Sequence, residues 1–139
     1  MWLFYAFLSA LTAALVAIFA KLGLKDVDST LATTIRAIIM AVFLVLVSIA
    51  FKKFNGFSFT DLAAKEWMLI TLAGIAGALS WLFYFLAIKT GTATGVVAVD
   101  RLSVVFVVVL AALFLGEALT WQSILGAFLI FGGAILIAL

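Results

Sequence analysis

The sequence predicts an all-α integral membrane protein of five transmembrane helices, and two observations carry that expectation. The 139 residues are 69% hydrophobic and 10% charged, with a mean hydropathy of +1.47. A soluble domain is nearer half apolar and about a quarter charged. The apolar residues also fall into five runs, at about 2–20, 30–50, 67–88, 96–115 and 119–139, joined by short connectors. A helix needs about 20 apolar residues to cross roughly 30 Å of hydrocarbon, and each run meets that length. None alternates polar with apolar residues, which argues against membrane strands. A single transmembrane domain over 1–139 is expected, with no room for a soluble one.

The same composition narrows the chemistry. There is no Cys and no His, which removes disulfides, thiol nucleophiles, imidazole bases and the usual zinc ligands together. No phosphate-binding loop and no pair of carboxylates within one segment is found, so an enzyme is not expected, nor a metal or cofactor site. The net charge of +2 is carried by few residues, and no basic cluster exceeds Lys52–Lys53. Nucleic acid is therefore not an expected partner. The first run starts at residue 2 and lacks a cleavage-site region before the next spans, so it reads as a retained helix, not a removed signal peptide.

The first run carries Ala6, Ser9, Ala10, Ala13, Ala14, Ala17 and Ala20 at spacings of three and four. Such a stripe lets another helix pack closely. Lys21 and Lys25 follow it, then Asp26 and Asp28, with Ser29 or Thr30 as cap candidates for the second helix. The second run holds Arg36 about six residues inside, roughly 9 Å from the helix start at about 1.5 Å per residue. Its guanidinium either snorkels to the interface or lines a polar cavity.

The connector 51–66 is the longest. Its Phe54, Phe57, Phe59 and Leu62 suggest a segment lying in the interface, with Thr60 or Asp61 opening a helical lead-in. The third run has a small-residue patch over 73–78 and then Trp81, Tyr84 and Ile88 on one face. The aromatic pair serves either as packing and interface belt or as a binding wall. Gly91 and Gly95 in the next connector read as turn and close-approach glycines.

The fourth run has Asp100 and Arg101 about five residues past its start. Ionisable groups at that depth cost a few kcal/mol even on lenient insertion scales, so they are functional-site candidates. Asp100 is the acidic residue placed well inside a span, and so the candidate proton carrier if protons drive the protein. The reversal after this run, Gly116-Glu117-Ala118-Leu119-Thr120, is tight, with Thr120 a cap candidate and Glu117 near the positive end of the last helix. Gly126, Gly132, Gly133 and Ala134 read as packing surface there.

Orientation is weakly encoded. Loop basic residues number three on one side (Lys52, Lys53, Lys65) and three on the other (Lys21, Lys25, Lys89), or five if Arg36 and Arg101 snorkel. Such a balance fits a chain that inserts both ways, and also a single orientation with the amino terminus outside.

The segment 113–133, Leu-Phe-Leu-Gly-Glu-Ala-Leu-Thr-Trp-Gln-Ser-Ile-Leu-Gly-Ala-Phe-Leu-Ile-Phe-Gly-Gly, resembles the ending of an EamA domain, the five-helix repeat of the drug/metabolite transporter superfamily. The stretch from Tyr5 to Lys21-Leu-Gly-Leu, with Arg36 in the following helix, looks like the beginning of that repeat. Asp100-Arg101-Leu-Ser-Val-Val is similar to a stretch of the short, single-repeat EamA proteins. The resemblance covers nearly the whole chain, and Gly116, Glu117, Thr120 and Gly126 carry its motif. Many EamA domains have a proline in or before the fourth helix; this chain has no proline.

Longer members of the superfamily place two repeats in opposite topology around a central cavity. The resemblance therefore implies a homodimer, with the two copies antiparallel as inverted-repeat logic requires. It implies a multi-pass protein of a prokaryotic cell (inner) membrane and a secondary transporter that moves a small metabolite or drug-like compound by alternating access. Arg36, Trp81, Tyr84, Asp100 and Arg101 would then form the substrate pathway. Two other functions fit the same charges: a dual-topology channel or ion exporter, and a non-transporting scaffold subunit. Small four-helix multidrug exporters fit less well, because they depend on a membrane-embedded Glu in the first helix, where this chain has none.

Overall fold

A computed structural model describes residues 1–24, 26–58 and 61–139. Lys25, Phe59 and Thr60, named above for loop charge, interface contact and a helix start, lie outside the described residues. Among the described residues the order is α1 (Trp2–Gly23), α2 (Ser29–Ala50), α3 (Ala64–Thr90), α4 (Ala93–Asp100), α5 (Leu102–Phe114) and α6 (Trp121–Ala138). Helices α4 and α5 make one span of 22 residues, so five spans are long and apolar enough to cross a membrane. The protein is an integral, multi-pass, all-helical membrane protein.

The second, third and fourth spans start before their apolar runs because polar residues cap them there, whereas α6 falls within its run. Helix α2 does not use Ser29 or Thr30 as its cap. The Asp28 carboxylate accepts from the N–H groups of Thr30 at 2.9 Å and Leu31 at 3.0 Å. An ionised acceptor at a positive helix end makes the stronger bond, which favours Asp28 over a neighbouring hydroxyl. Helix α3 begins three residues before the apolar run, because Glu66 reaches back to accept from the Ala63 N–H at 2.9 Å, one half of a capping box. Asp61 closes a local turn instead, accepting from the Ser58 N–H at 2.8 Å.

Helix α4 also starts three residues before its run, capped by Thr92, whose Oγ1 accepts from Gly95 N–H at 3.1 Å. A Cβ at Gly95 would sit 2.8 Å from that oxygen, and one at Gly91 would meet Val96 Cγ2 at 2.8 Å. The α3–α4 turn is thus closed too tightly for side chains at either glycine. At the other end of the span Gly116 adopts φ +68°, and the Glu117 N–H returns to the Ala111 carbonyl at 3.3 Å. That left-handed turn favours glycine and brings a second donor to the Ala111 carbonyl, which also accepts from the Leu115 N–H at 2.9 Å. Thr120 then caps α6, accepting from Ser123 N–H at 3.1 Å.

The described residues form two compact units: residues 1–22 with 87–139, and residues 23–86. In the first, α6 packs against α4 and α5, with Ala98, Ala111 and Ala134 buried where backbones approach. In the same unit Lys21, at the end of α1, donates its ammonium to the carbonyls of Ile88 (2.9 Å), Gly91 (2.7 Å) and Lys89 (3.4 Å). Carbonyls at a helix C-terminus lack intrahelical donors and carry the negative end of the dipole, so a cation satisfies both needs. Lys21 is a helix cap.

Little else is buried. At most 11% of the residues in the most apolar window of any span are buried, and in α2 none. A Cβ at Gly74, Gly77, Gly126, Gly132 or Gly133 would meet nothing within 4 Å. Within its own unit, each of these glycines thus has no neighbouring side chain packed on it.

Candidate functional site

Arg36 lies seven residues into α2, about 10 Å from Ser29 along the axis. Its guanidinium carbon sits 3.6 Å from the centroid of the Trp81 ring and 5.5 Å from that of Phe85. Trp81 lies nine residues before the end of α3, about 13 Å from that end. Because α2 starts on the side where α3 ends, the two residues lie at comparable depth in one unit. The side chain is thus directed at a ring within the span. Stacking on an aromatic face offsets a substantial share of the insertion cost: a desolvated cation–π contact contributes about 2 kcal/mol or more, against about 2.5–3.5 kcal/mol for an arginine near a span's centre on insertion scales.

The ring it meets belongs to a cluster. Trp81 packs edge to face with Tyr84 at 5.4 Å and with Phe85 at 6.2 Å, and Tyr84 and Phe85 meet at a tilt at 6.2 Å. Phe85 is 4% exposed, while Trp81 and Tyr84 are half-buried. Phe85 forms the floor of the wall, yet the sequence reading assigned it no role. Its position four residues after Trp81 is the signal that would have found it, since such pairs share a helix face.

Asp100 and Arg101 are in the other unit. The fourth span breaks between them: Arg101 has ψ −11°, far from the usual helical value, and separates α4 from α5. The Val104 N–H bonds to the Arg101 carbonyl at 3.0 Å, three residues back, in place of the usual fourth. This is a 3₁₀-like step in mid-span, of the kind found at hinges. It occurs without proline or glycine, at the ionisable pair itself. Asp100 is half-buried and Arg101 exposed. Neither side chain has a hydrogen-bond or ion-pair partner among the described residues. Because α4 begins at Ala93, Asp100 lies about 10 Å inside the span, deeper than the run suggested.

A separate apolar groove of about 320 Å³ lies between α5 and α6 in the same unit, lined by Val105, Val109, Leu119, Phe128 and Phe131 among others. It contains none of the sequence-predicted pathway residues. With no polar atom in its lining, it has no means of orienting a polar ligand. No group of three or more His, Cys, Asp or Glu suited to a metal occurs among the described residues.

The family profile of the EamA-like transporters matches residues 1–139. The chain belongs to the EamA-like transporter family. A curated relative from a Sinorhizobium species, named an uncharacterized transporter in the cobO 3′ region, is similar throughout. The two are 39% identical over 137 residues, covering 99% of this chain and 96% of that one. No solved structure matches the chain. Membership of the EamA-like family gives the intramembrane charges a setting: they lie in a member of a family of membrane transporters. Within that setting, the structure brings Arg36, Trp81 and Tyr84 together in one unit and places Asp100 and Arg101 at the helix break of the other.

Proposed function

We propose that the protein is a secondary transporter that moves a small metabolite or drug-like compound by alternating access, working as an antiparallel homodimer equivalent to a ten-helix transporter. The interruption of the fourth span at Asp100–Arg101 carries this reading. In transporters, discontinuous helices free backbone groups inside the membrane and provide a joint about which segments rearrange. A half-buried carboxylate beside such a joint suits a group that takes up and releases a proton. Arg36 and the Trp81–Tyr84 wall supply polar and apolar contacts for a substrate.

The dimer follows from what one copy lacks. A single five-helix repeat offers half of an inverted-repeat transporter, and its spans leave their apolar faces open. The near-even distribution of loop Lys and Arg suits insertion in both orientations. A prokaryotic inner membrane is the location this reading implies.

The test is counterflow in proteoliposomes. Vesicles loaded with a pool of unlabelled amino acids, organic acids and nucleosides are diluted into each labelled compound in turn. A carrier gives saturable uptake that is stimulated by the same compound on the opposite side. Flux that rises linearly with concentration and shows no stimulation indicates a channel, and absence of flux for every compound removes the transport reading.

A further inference from the structure

We infer that Arg36 and the aromatic wall of Trp81, Tyr84 and Phe85 form a binding site for the carboxylate of a small aromatic anion, so that the substrate class is an aromatic carboxylate. The physiological meaning of such a site rests on the transporter reading above; its ability to bind does not.

Stacking is the first reason. With the guanidinium carbon 3.6 Å from the Trp81 centroid, Arg36 spends its planar face on the ring. Its N–H donors point outward around the edge of that plane, in the fork that matches a carboxylate. The contact with Trp81 therefore positions the donors without consuming them.

Charge is the second. The acidic residues described in the same unit sit at helix ends or connectors, and three of the four accept backbone N–H groups there. Asp28 caps α2, Asp61 accepts from Ser58 and Glu66 accepts from Ala63. Asp26 is exposed in the first connector. None lies within the span beside Arg36. The positive charge on α2 thus meets aromatic rings in its own unit, and a bound anion would add a counter-charge that this unit does not place beside it.

The wall supplies the third. Trp81 and Tyr84 are half-buried over the floor made by Phe85. The exposed parts of these rings offer an apolar surface to the body of a flat ligand. A cationic ligand meets the opposite situation, because the aromatic face best suited to it already holds Arg36. The site should therefore rank three compounds of one shape by charge: benzoate first, benzyl alcohol next, benzylamine last.

The experiment is equilibrium binding of radiolabelled benzoate to the full chain in lipid nanodiscs, with benzyl alcohol and benzylamine as competitors. The expected result is saturable benzoate binding that benzylamine does not displace. Arg36→Gln should weaken it at least about 10-fold, the loss of one charge-assisted pair. Arg36→Lys keeps the charge without the fork and should also weaken binding, and it serves as the second variant if Arg36→Gln does not give monodisperse protein. Trp81→Ala removes the ring that positions the guanidinium and should weaken benzoate binding as well. The proposal is overturned if benzoate shows no saturable binding, if benzylamine or benzyl alcohol competes as well as benzoate itself, or if both Arg36 variants bind benzoate as the parent does. Benzoate binding without any counterflow would remove the transporter reading and leave this one standing. Counterflow of neutral or cationic compounds without benzoate binding would do the reverse.

Discussion

Proton-driven uptake into proteoliposomes is expected to fall to background in Asp100→Asn, with the protein still helical and monodisperse. The substitution preserves shape and hydrogen-bonding capacity but removes the ability to exchange a proton. In the structure the carboxylate is half-buried, about 10 Å inside the fourth span, and has no partner among the described residues. Replacing it therefore breaks no internal contact and lowers the cost of inserting the span. Folding should be intact or improved, so a loss of transport is attributable to proton exchange. Counterflow, which needs no net proton movement, should survive better than proton-driven uptake. If Asp100→Asn retains full proton-driven uptake, coupling resides elsewhere.

Lys21→Met should lower the thermal stability of the purified protein by an amount equivalent to about 1.5–3 kcal/mol, the range for a hydrogen bond to a charged group. Methionine keeps the length and apolar stem of lysine, so packing is largely conserved. What disappears is the ammonium that bonds the carbonyls of Ile88, Lys89 and Gly91. These oxygens lose their donor and the negative end of α3 its counter-charge, which contributes about 0.3–1 kcal/mol more. Because the Gly91–Gly95 turn that follows is closed to side chains, the damage should concentrate there. Amide hydrogen exchange at Gly91, whose N–H bonds to Ala87 at 2.8 Å, should accelerate more than exchange in α6. Lys21→Arg, which retains donors and charge, should recover most of the loss. Unchanged unfolding of Lys21→Met would show that the three carbonyls are satisfied without it.

The two predictions concern charges whose place in the fold was unequally legible. That Asp100 sits inside a span follows from run length alone. That the span breaks beside it does not, because neither proline nor glycine marks the position. Lys21 is harder still. Its partners lie 67 to 70 residues away, and nothing local distinguishes a lysine that snorkels from one that caps a distant helix. The five spans themselves were plain, since apolar length decides insertion. Their ends were not, because hydropathy does not register a carboxylate reaching back to a backbone N–H, as Glu66 does. Asp28 stands one residue before the two cap candidates and differs from them mainly in charge.

For the candidate site, sequence spacing placed Trp81 and Tyr84 on one face but could not say that Arg36, on another helix, would lie across it. The contact joins residues 45 positions apart through two long side chains. Phe85, by contrast, was within reach of the same spacing argument.

One repeat is proposed to serve as both halves of a transporter by inserting in two orientations. The chain has no cysteine, so a single one placed at Asn55, exposed in the connector between α2 and α3, reports the side on which that connector lies. Asn55→Cys is expressed in intact cells and treated with an impermeant thiol reagent, before and after permeabilisation. Antiparallel insertion predicts that about half of the protein is labelled from outside and the rest only once the inner face is opened. Labelling confined to one side of the membrane would contradict it.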